Sequence, residues 1–428
     1  MKIGIIGAGI TGLYLAYDLA KKGHEIVVFE KDYPGGLAFG FPFNQTEEMF
    51  LEKYYHHIFI NDAEIIQLIK ENNLAEDLLW LKSKSGIYAD NKIWNLGTSF
   101  DLLSFSPLGS IWQRLLMGIN LFYFKATKKW GHLDKIKCYD LFRKRWNSTG
   151  YRNLWEPLLK QKFASGYPNI PAAFLWGRIH PRSKSRQQGQ ETLGYLKGGF
   201  QRLFHAMVQA IETHGGLVRA NDPVLELIPI KQPQVIAKSG IYRFDRLIWT
   251  LATNLLPNFV KNLSSDIKDK ANSIKYMAVT CLILVMKEQL SDYYWINNID
   301  PEISYGGIIE HTNFVSPSYY KGKHIIYIIN YHLNNTSLCQ FNSQEVLQMH
   351  LSSLQKMYPN FKKEYIIKYH LFRDIHSSPL YDMNYSERIP PYRGWLPNID
   401  ICNMSQVYPI DRNMNNCIKN AIKYLSLY

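Results

Sequence analysis

Cysteine is scarce and scattered: Cys138, Cys281, Cys339, Cys402 and Cys417 are the only five in 428 residues, and no CxxC pair occurs. An odd count at wide spacing argues against a disulfide framework or a structural zinc site, and for a reducing compartment. Long apolar runs are missing as well. The stretch AVTCLILVM at 278–286, among the longest, is about half of what a membrane-spanning helix needs. At the N-terminus, Gly4, Gly7, Gly9 and Gly12 break up the apolar run and no cleavage-site pattern follows, so it does not read as a secretion signal. A cytoplasmic protein without a transmembrane segment is expected.

Acidic side chains are the rarer charge, with 36 Asp and Glu against 49 Lys and Arg, a formal net charge of +13. Such an excess favours anionic partners: phosphate-bearing ligands, acidic lipid surfaces or nucleic acid. No zinc-finger, basic-zipper or RNA-binding-sheet pattern is present, which makes nucleic acid the weakest of the three. Also missing are a Ser/His/Asp arrangement, paired catalytic carboxylates and an ATPase-type phosphate loop. What remains is a globular composition, 46% hydrophobic and 20% charged, with 29 Tyr and 10 Trp. The length suits two substructures rather than one small core. The aromatic content suits a large ligand pocket or ordinary core filling.

The most informative segment is KIGIIGAGITGLYLAYDLAKKGHEIVVFEK at 2–31. Residues 2–6 read as a short apolar strand, Gly7-Ala8-Gly9-Ile10-Thr11-Gly12 as a turn, and Leu13, Ala16, Tyr17, Leu19 and Ala20 as one face of a helix. Gly23 ends that helix, and a second strand over 25–29 leads to Glu30. Gly7 permits the tight turn, Gly9 leaves room for a pyrophosphate, and Gly12 lets the helix lie close on the strand. The helix start then offers free N–H groups and a positive dipole end to the anion. Glu30, eighteen residues past Gly12, is placed to accept from the ribose hydroxyls and would repel a 2′-phosphate. The whole context of a dinucleotide site is present, not the glycines alone.

Just beyond lies Pro34-Gly35-Gly36. A glycine pair there resembles the second phosphate-and-ribose loop of the FAD-dependent amine oxidoreductase superfamily. That group includes amine oxidases, protoporphyrinogen oxidase, carotenoid desaturases and UDP-galactopyranose mutase. The resemblance implies FAD as cofactor, held around Gly7, Gly9, Ile10, Thr11, Gly12, Glu30, Lys31, Gly35, Gly36 and Leu37. Many members have Arg or Lys where Leu37 stands, so the phosphates would rest more on backbone amides.

Three further segments are similar to the same superfamily. Residues 198–230 read as turn, amphipathic helix, Gly-Gly stop and strand, and the resemblance implies that Val224 offers its backbone to the adenine. FDRLIWTLAT at 244–253 resembles the strand beneath the cofactor, although any buried strand would show Leu247, Ile248 and Trp249. The last, 401–425, resembles the strand, loop and final helix that close over the flavin, with Asp411, Arg412, Met414 and Asn415 as contacts. Relatives usually carry a glycine in that loop; here Asn413 stands, a residue that tolerates left-handed backbone.

These matches imply an α/β fold: a Rossmann-type FAD-binding domain in three pieces (1–75, 195–260 and 375–428) and a second, mixed-sheet and helical substrate domain (76–194 and 261–374). Residues 76–195 are expected to be helical in part, and 275–286 and 324–332 to be strands.

Candidate chemistry follows. KYYHHIFINDAEIIQLIKE at 53–71 resembles a stretch of UDP-galactopyranose mutase that carries a histidine beside the flavin, which makes His57, ahead of His56, a candidate near N5. Between 177 and 199, Arg178, His180, Arg182, Lys184 and Arg186 alternate as either an anion-holding face or a solvated basic loop; Arg178 and Arg182 are the substrate candidates. LGSIWQRLLMGINLFYFKATKKW at 108–130 mixes apolar and aromatic residues with Arg114, Lys125, Lys128 and Lys129. It reads as a helix packed on its own protein, or as one lying peripherally in a membrane interface. The functional expectation is an FAD-dependent oxidoreductase moving a hydride from an amine, polycyclic or lipid-like small molecule to N5, with an anionic group on the substrate if the basic positions line its pocket. The alternative is a flavin-dependent sugar-nucleotide mutase.

Overall fold

The computed structural model describes residues 1–43, 49–182, 186–187 and 190–428. Lys184 and the side chain of Arg182 lie outside the described residues. Five parallel strands form the first sheet, in the order Leu217–Arg219, Glu25–Phe29, Lys2–Ile6, Arg246–Trp249 and Ile399–Ile401. Residues from the start, middle and end of the chain thus meet in one sheet.

Alternation along the strands builds two different cores from it. Ile3, Ile5, Ile26, Val28 and Ile248 face the first helix (Ile10–Lys21), the helix Gln201–Thr213 and the final helix (Met414–Leu425), burying Leu13, Leu203, Met207 and Ile418. On the other face, Ile6, Val27, Phe29, Leu247 and Trp249 pack on Leu227 and Val235 of a three-stranded antiparallel unit, Val224–Ile228, Gln234–Ala237 and Gly240–Arg243. Apolar residues on both faces are what a covered parallel sheet requires.

The second sheet is mixed and seven-stranded. Its order is Ile366–Pro379, Tyr276–Met286, His324–His332, Gly307–Glu310, Trp295–Asn298, Ser85–Ala89 and Lys92–Asn95, and the pair Trp295–Asn298 with Ser85–Ala89 is parallel. The strands expected at 275–286 and 324–332 are paired interior strands of this sheet, and every residue of Tyr276–Met286 is buried. Residue 375, the expected start of the last FAD-domain piece, falls inside the strand Ile366–Pro379. The stretch 76–195 is helical in part but also contributes the strands Leu78–Lys82, Ser85–Ala89 and Lys92–Asn95. Its helices gather around a separate aromatic core that includes Phe105, Phe124, Phe142 and Phe163.

Candidate flavin site and the cleft beside it

The first strand delivers the chain to Gly7, whose φ of +105° suits glycine, and the first helix starts at Ile10 with Gly9 as its N-cap. No side chain caps that end, and its first turn holds no acidic residue. The three glycines differ in what a Cβ would meet. At Gly12 it would lie 1.9 Å from the Gly7 carbonyl oxygen, and at Gly7 2.7 Å from Leu251, so both are glycine for packing. At Gly9 the nearest atom is the Gly36 Cα, 3.9 Å away. Among the described residues no other atom outside its chain neighbours lies within 4 Å of that Cβ, so the cradle is open to a ligand.

The Gly35-Gly36 loop closes on this turn. Gly35 N–H donates to the Ala8 carbonyl at 2.8 Å, and Gly9 and Gly35 form an isolated bridge. Glu30 is buried at the end of its strand, its two carboxylate oxygens accepting from Ala8 N–H (2.9 Å) and Asp32 N–H (3.0 Å). Each oxygen keeps a second acceptor position for a ribose hydroxyl. Lys31 is exposed beside Asp32, and Leu37 is half-buried. Asp222 N–H donates to the Glu30 carbonyl, which sets Val224 two residues from the same strand end. Val224 pairs with Ala237 in its own sheet.

At the far end of the chain, Asn413 caps the final helix by accepting from Asn416 N–H at 2.8 Å. Its φ is −71°, outside the left-handed region, and Asn413 acts as an N-cap. The side chains of Met414 and Asn415 are engaged within the protein. Met414 is buried in the core, and the buried Asn415 Oδ1 accepts from Ile65 N–H at 2.9 Å, anchoring the helix Ala63–Glu71. Their backbone at the helix start remains the part a cofactor can use. Thr11 on the first helix lies beside Cys417 on the final one, so two helix starts converge.

Asp411 and Arg412 open onto a cleft. Arg178, from the helix Ala172–Arg182, pairs with Asp411 at 3.3 Å. That helix lies so close that a Cβ on Gly177 would sit 1.9 Å from the Pro409 carbonyl oxygen. Tyr55 and Tyr331 share a hydroxyl contact of 3.3 Å, and Lys162 Nζ lies 3.6 Å from the Tyr331 ring centre. Each of these groups keeps accessible surface, yet desolvation is the largest influence on Lys162 and pushes its pKa down to about 8, with Arg178 and Arg412 adding to the fall. Surface that is accessible and still strongly desolvated belongs to an enclosed cleft. Burial works to raise the Tyr331 phenol, but Lys162 and Arg412 outweigh it and draw its pKa below the usual value. The Arg412 Nε–H has no acceptor among the described residues.

The histidine expectation divides. His57 Nδ1 is 3.0 Å from the Tyr294 hydroxyl, among Phe59, Tyr294 and Trp295. It is His56 that feels Arg412; burial lowers its pKa to about 4, and it is neutral at pH 7. Sequence reasoning missed Lys162, Tyr55 and Tyr331 as site residues. Nothing local marks them; they come together only when the helix Glu156–Phe163 and the strand His324–His332 pack.

Comparison with known proteins decides the family. The model for flavin-containing amine oxidoreductases matches residues 10–393. The chain belongs to this family. Its cofactor is FAD, and the open cradle at Gly9, the uncapped helix start and the unpartnered Arg412 Nε–H fit that group. Among solved structures, a candidate protoporphyrinogen oxidase from Exiguobacterium sp. 255-15 aligns with a TM-score of 0.77 at 16% identity, covering 100% of this chain and 98% of that one. A putrescine oxidase aligns at 0.72 and 14%, covering 100% and 99%. A reduced UDP-galactopyranose mutase aligns at 0.74 and 13%, covering 100% and 94%; at this identity it shares the fold alone, and the family match does not favour the mutase reading. In sequence, a 4,4'-diapophytoene desaturase from Staphylococcus haemolyticus is 25% identical over 346 residues, 70% of this chain and 66% of its own. Thiamine thiazole synthase from Thermotoga maritima is 35% identical over 103 residues, 22% of this chain and 40% of its own. The chain thus spans less than two thirds of either relative's length.

Proposed function

We propose that this protein is an FAD-dependent oxidoreductase acting on an apolar, lipid-like or polycyclic compound that carries a carboxylate or phosphate. The observation behind it is the cationic set Lys162, Arg178 and Arg412 around Tyr55 and Tyr331, offset by Asp411. Three positive groups in a desolvated cleft attract an anion and repel a polyamine. The desaturase similarity supports an apolar substrate; the putrescine oxidase likeness is one of fold.

Bound FAD would accept a hydride from a substrate C–H bond at N5. The backbone amides at Ile10–Gly12, with the Gly35-Gly36 loop, would hold the pyrophosphate, and Glu30 and the Val224 backbone the adenosine. Lys31, being exposed, would lie at the rim. Arg412 would meet the flavin or the substrate anion through its free Nε–H. Arg178, and Arg182 on the same helix, would hold the substrate's charge. Lys162 is the group able to hold or release a proton near neutral pH, and His57 positions the aromatic wall.

The test is anaerobic bleaching of the bound flavin by a panel of compounds. Apolar carboxylates or phosphates are expected to bleach it, and Arg178→Ala to raise the concentration required. Bleaching by polyamines alone would overturn the substrate reading, and a purified chain that lacks flavin absorbance would overturn all of it.

A further inference from the structure

We infer that the helix Ile111–Ala126, with the short helix Ser99–Ser104 and Trp146 beside it, is a docking face for an anionic lipid bilayer. Eight of the twenty large apolar side chains exposed among the described residues lie between Phe100 and Trp146. The four most exposed of all belong here: Trp146 at 84%, Phe100 at 81%, Trp112 at 70% and Phe122 at 69%. On the helix, Ile111, Trp112, Leu115, Ile119 and Phe122 are exposed while Met117, Asn120 and Phe124 are buried. At about 100° per residue the exposed set occupies one stripe, opposite the buried one.

The parts are fastened into one surface. Arg114 donates to the Leu103 carbonyl at 2.8 Å, tying the short helix to the long one. Arg145, next to Trp146, donates to Asn120 Oδ1 at 2.5 Å and lies 4.2 Å over the Tyr123 ring. An apolar face of this kind on a folded protein marks an interaction site.

Charge selects the occupant. Between Ser99 and Asn147 the chain has nine Lys and Arg against Asp101, Asp134 and Asp140. Asp101 caps its helix, Asp134 is buried and Asp140 pairs with Arg143. Lys125, Lys128, Lys129 and Lys144 are exposed at the border of the patch. Exposed Trp and Phe flanked by Lys suit the headgroup boundary, where rings enter the acyl edge and ammonium groups stay on phosphates. A second copy docked on the same patch would bring this basic border against itself. Among the described residues no helix is long and apolar enough to cross a membrane, so the contact is peripheral. The helix Ala172–Arg182 packs on this element, Trp176 Nε1–H donating to the Thr127 carbonyl at 2.8 Å, and carries Arg178 to the cleft.

Co-sedimentation of the flavin-loaded, full-length protein with phosphatidylcholine vesicles, with and without phosphatidylglycerol, tests the proposal. Binding is expected to require phosphatidylglycerol and to weaken with salt. Trp112→Glu with Phe122→Glu is expected to lower the bound fraction about tenfold or more, with flavin absorbance unchanged. Lys125→Glu with Lys128→Glu and Lys129→Glu leaves the apolar stripe intact and is expected to abolish the preference for the anionic lipid. Equal binding by wild type and both variants, or no binding to either vesicle, would overturn the proposal. So would a wild-type dimer in sedimentation velocity that Trp112→Glu converts to monomer without any vesicle binding.

Discussion

Gly9 and Gly12 are three residues apart, and the same substitution has different consequences at each. Gly9 has extended backbone (φ −73°, ψ 177°) and open space around its Cβ, so a Val there leaves the protein folded and occupies the place of the pyrophosphate. Gly9→Val is expected to keep its secondary structure and thermal transition as apoprotein while losing flavin on gel filtration. Gly12→Ala instead drives a methyl into the Gly7 carbonyl and is expected to cost about 1–3 kcal/mol, read in a denaturant titration. Lys162 gives a pH signature. Its pKa in the fold, about 8, lies below that of an unfolded lysine, so the unfolded chain binds the extra proton. The stability contribution is unfavourable below about pH 8 and is relieved as pH rises through the window between the two values. Turnover is expected to show a limb near pH 8 that disappears in Lys162→Met; an unchanged profile would assign the proton to another group.

The strand Phe50–Glu52 carries a different device. Glu52 is fully buried, accepting from Phe200 N–H at 2.8 Å and from the Tyr195 hydroxyl at 2.9 Å, while the Tyr327 hydroxyl donates to its carbonyl. One carboxylate therefore ties this strand to the strand Gln190–Leu196 and to the start of the helix Gln201–Thr213. Burial raises its pKa to about 7. The folded state then binds the extra proton between the ordinary carboxylate range and pH 7, so stability falls as pH rises through that window. Glu52→Gln retains an acceptor for Phe200 and a donor for Tyr195, and is expected to flatten the pH dependence of Tm from about pH 5 to 7. Glu52→Ala, which leaves the Phe200 N–H without its acceptor, is expected to destabilise by about 1–3 kcal/mol.

In the molecule as a whole, the first and final helices come from opposite ends of the chain, and both start beside the same cradle. FAD held there adds a bridge between segments that the parallel sheet and the packing of the two helices already join. Removing it is expected to lower Tm, and restoring it at a hundredfold excess over Kd to return about 2.7 kcal/mol. A Tm indifferent to FAD would mean that the cradle does not hold it.

What the sequence determined by itself was local. The strand, glycine turn, helix and Glu30 lie within thirty consecutive residues, and their roles follow from backbone geometry, which is why that reading needed no tertiary information. The strands at 276–286 and 324–332 were legible for the same reason, since short runs rich in apolar, β-branched and aromatic residues announce buried strands. Tertiary packing alone decided the cleft. Lys162, Tyr55, Tyr331 and Arg412 carry no shared local pattern, and their pKa shifts arise from mutual approach and desolvation, which a one-dimensional reading does not contain. Packing also decided which histidine faces Arg412 and turned Asn415 into an anchor for Ile65. It left Trp112 and Phe122 outside the core, which the composition of 108–130 could not decide, because a packed stripe and an exposed one have the same period.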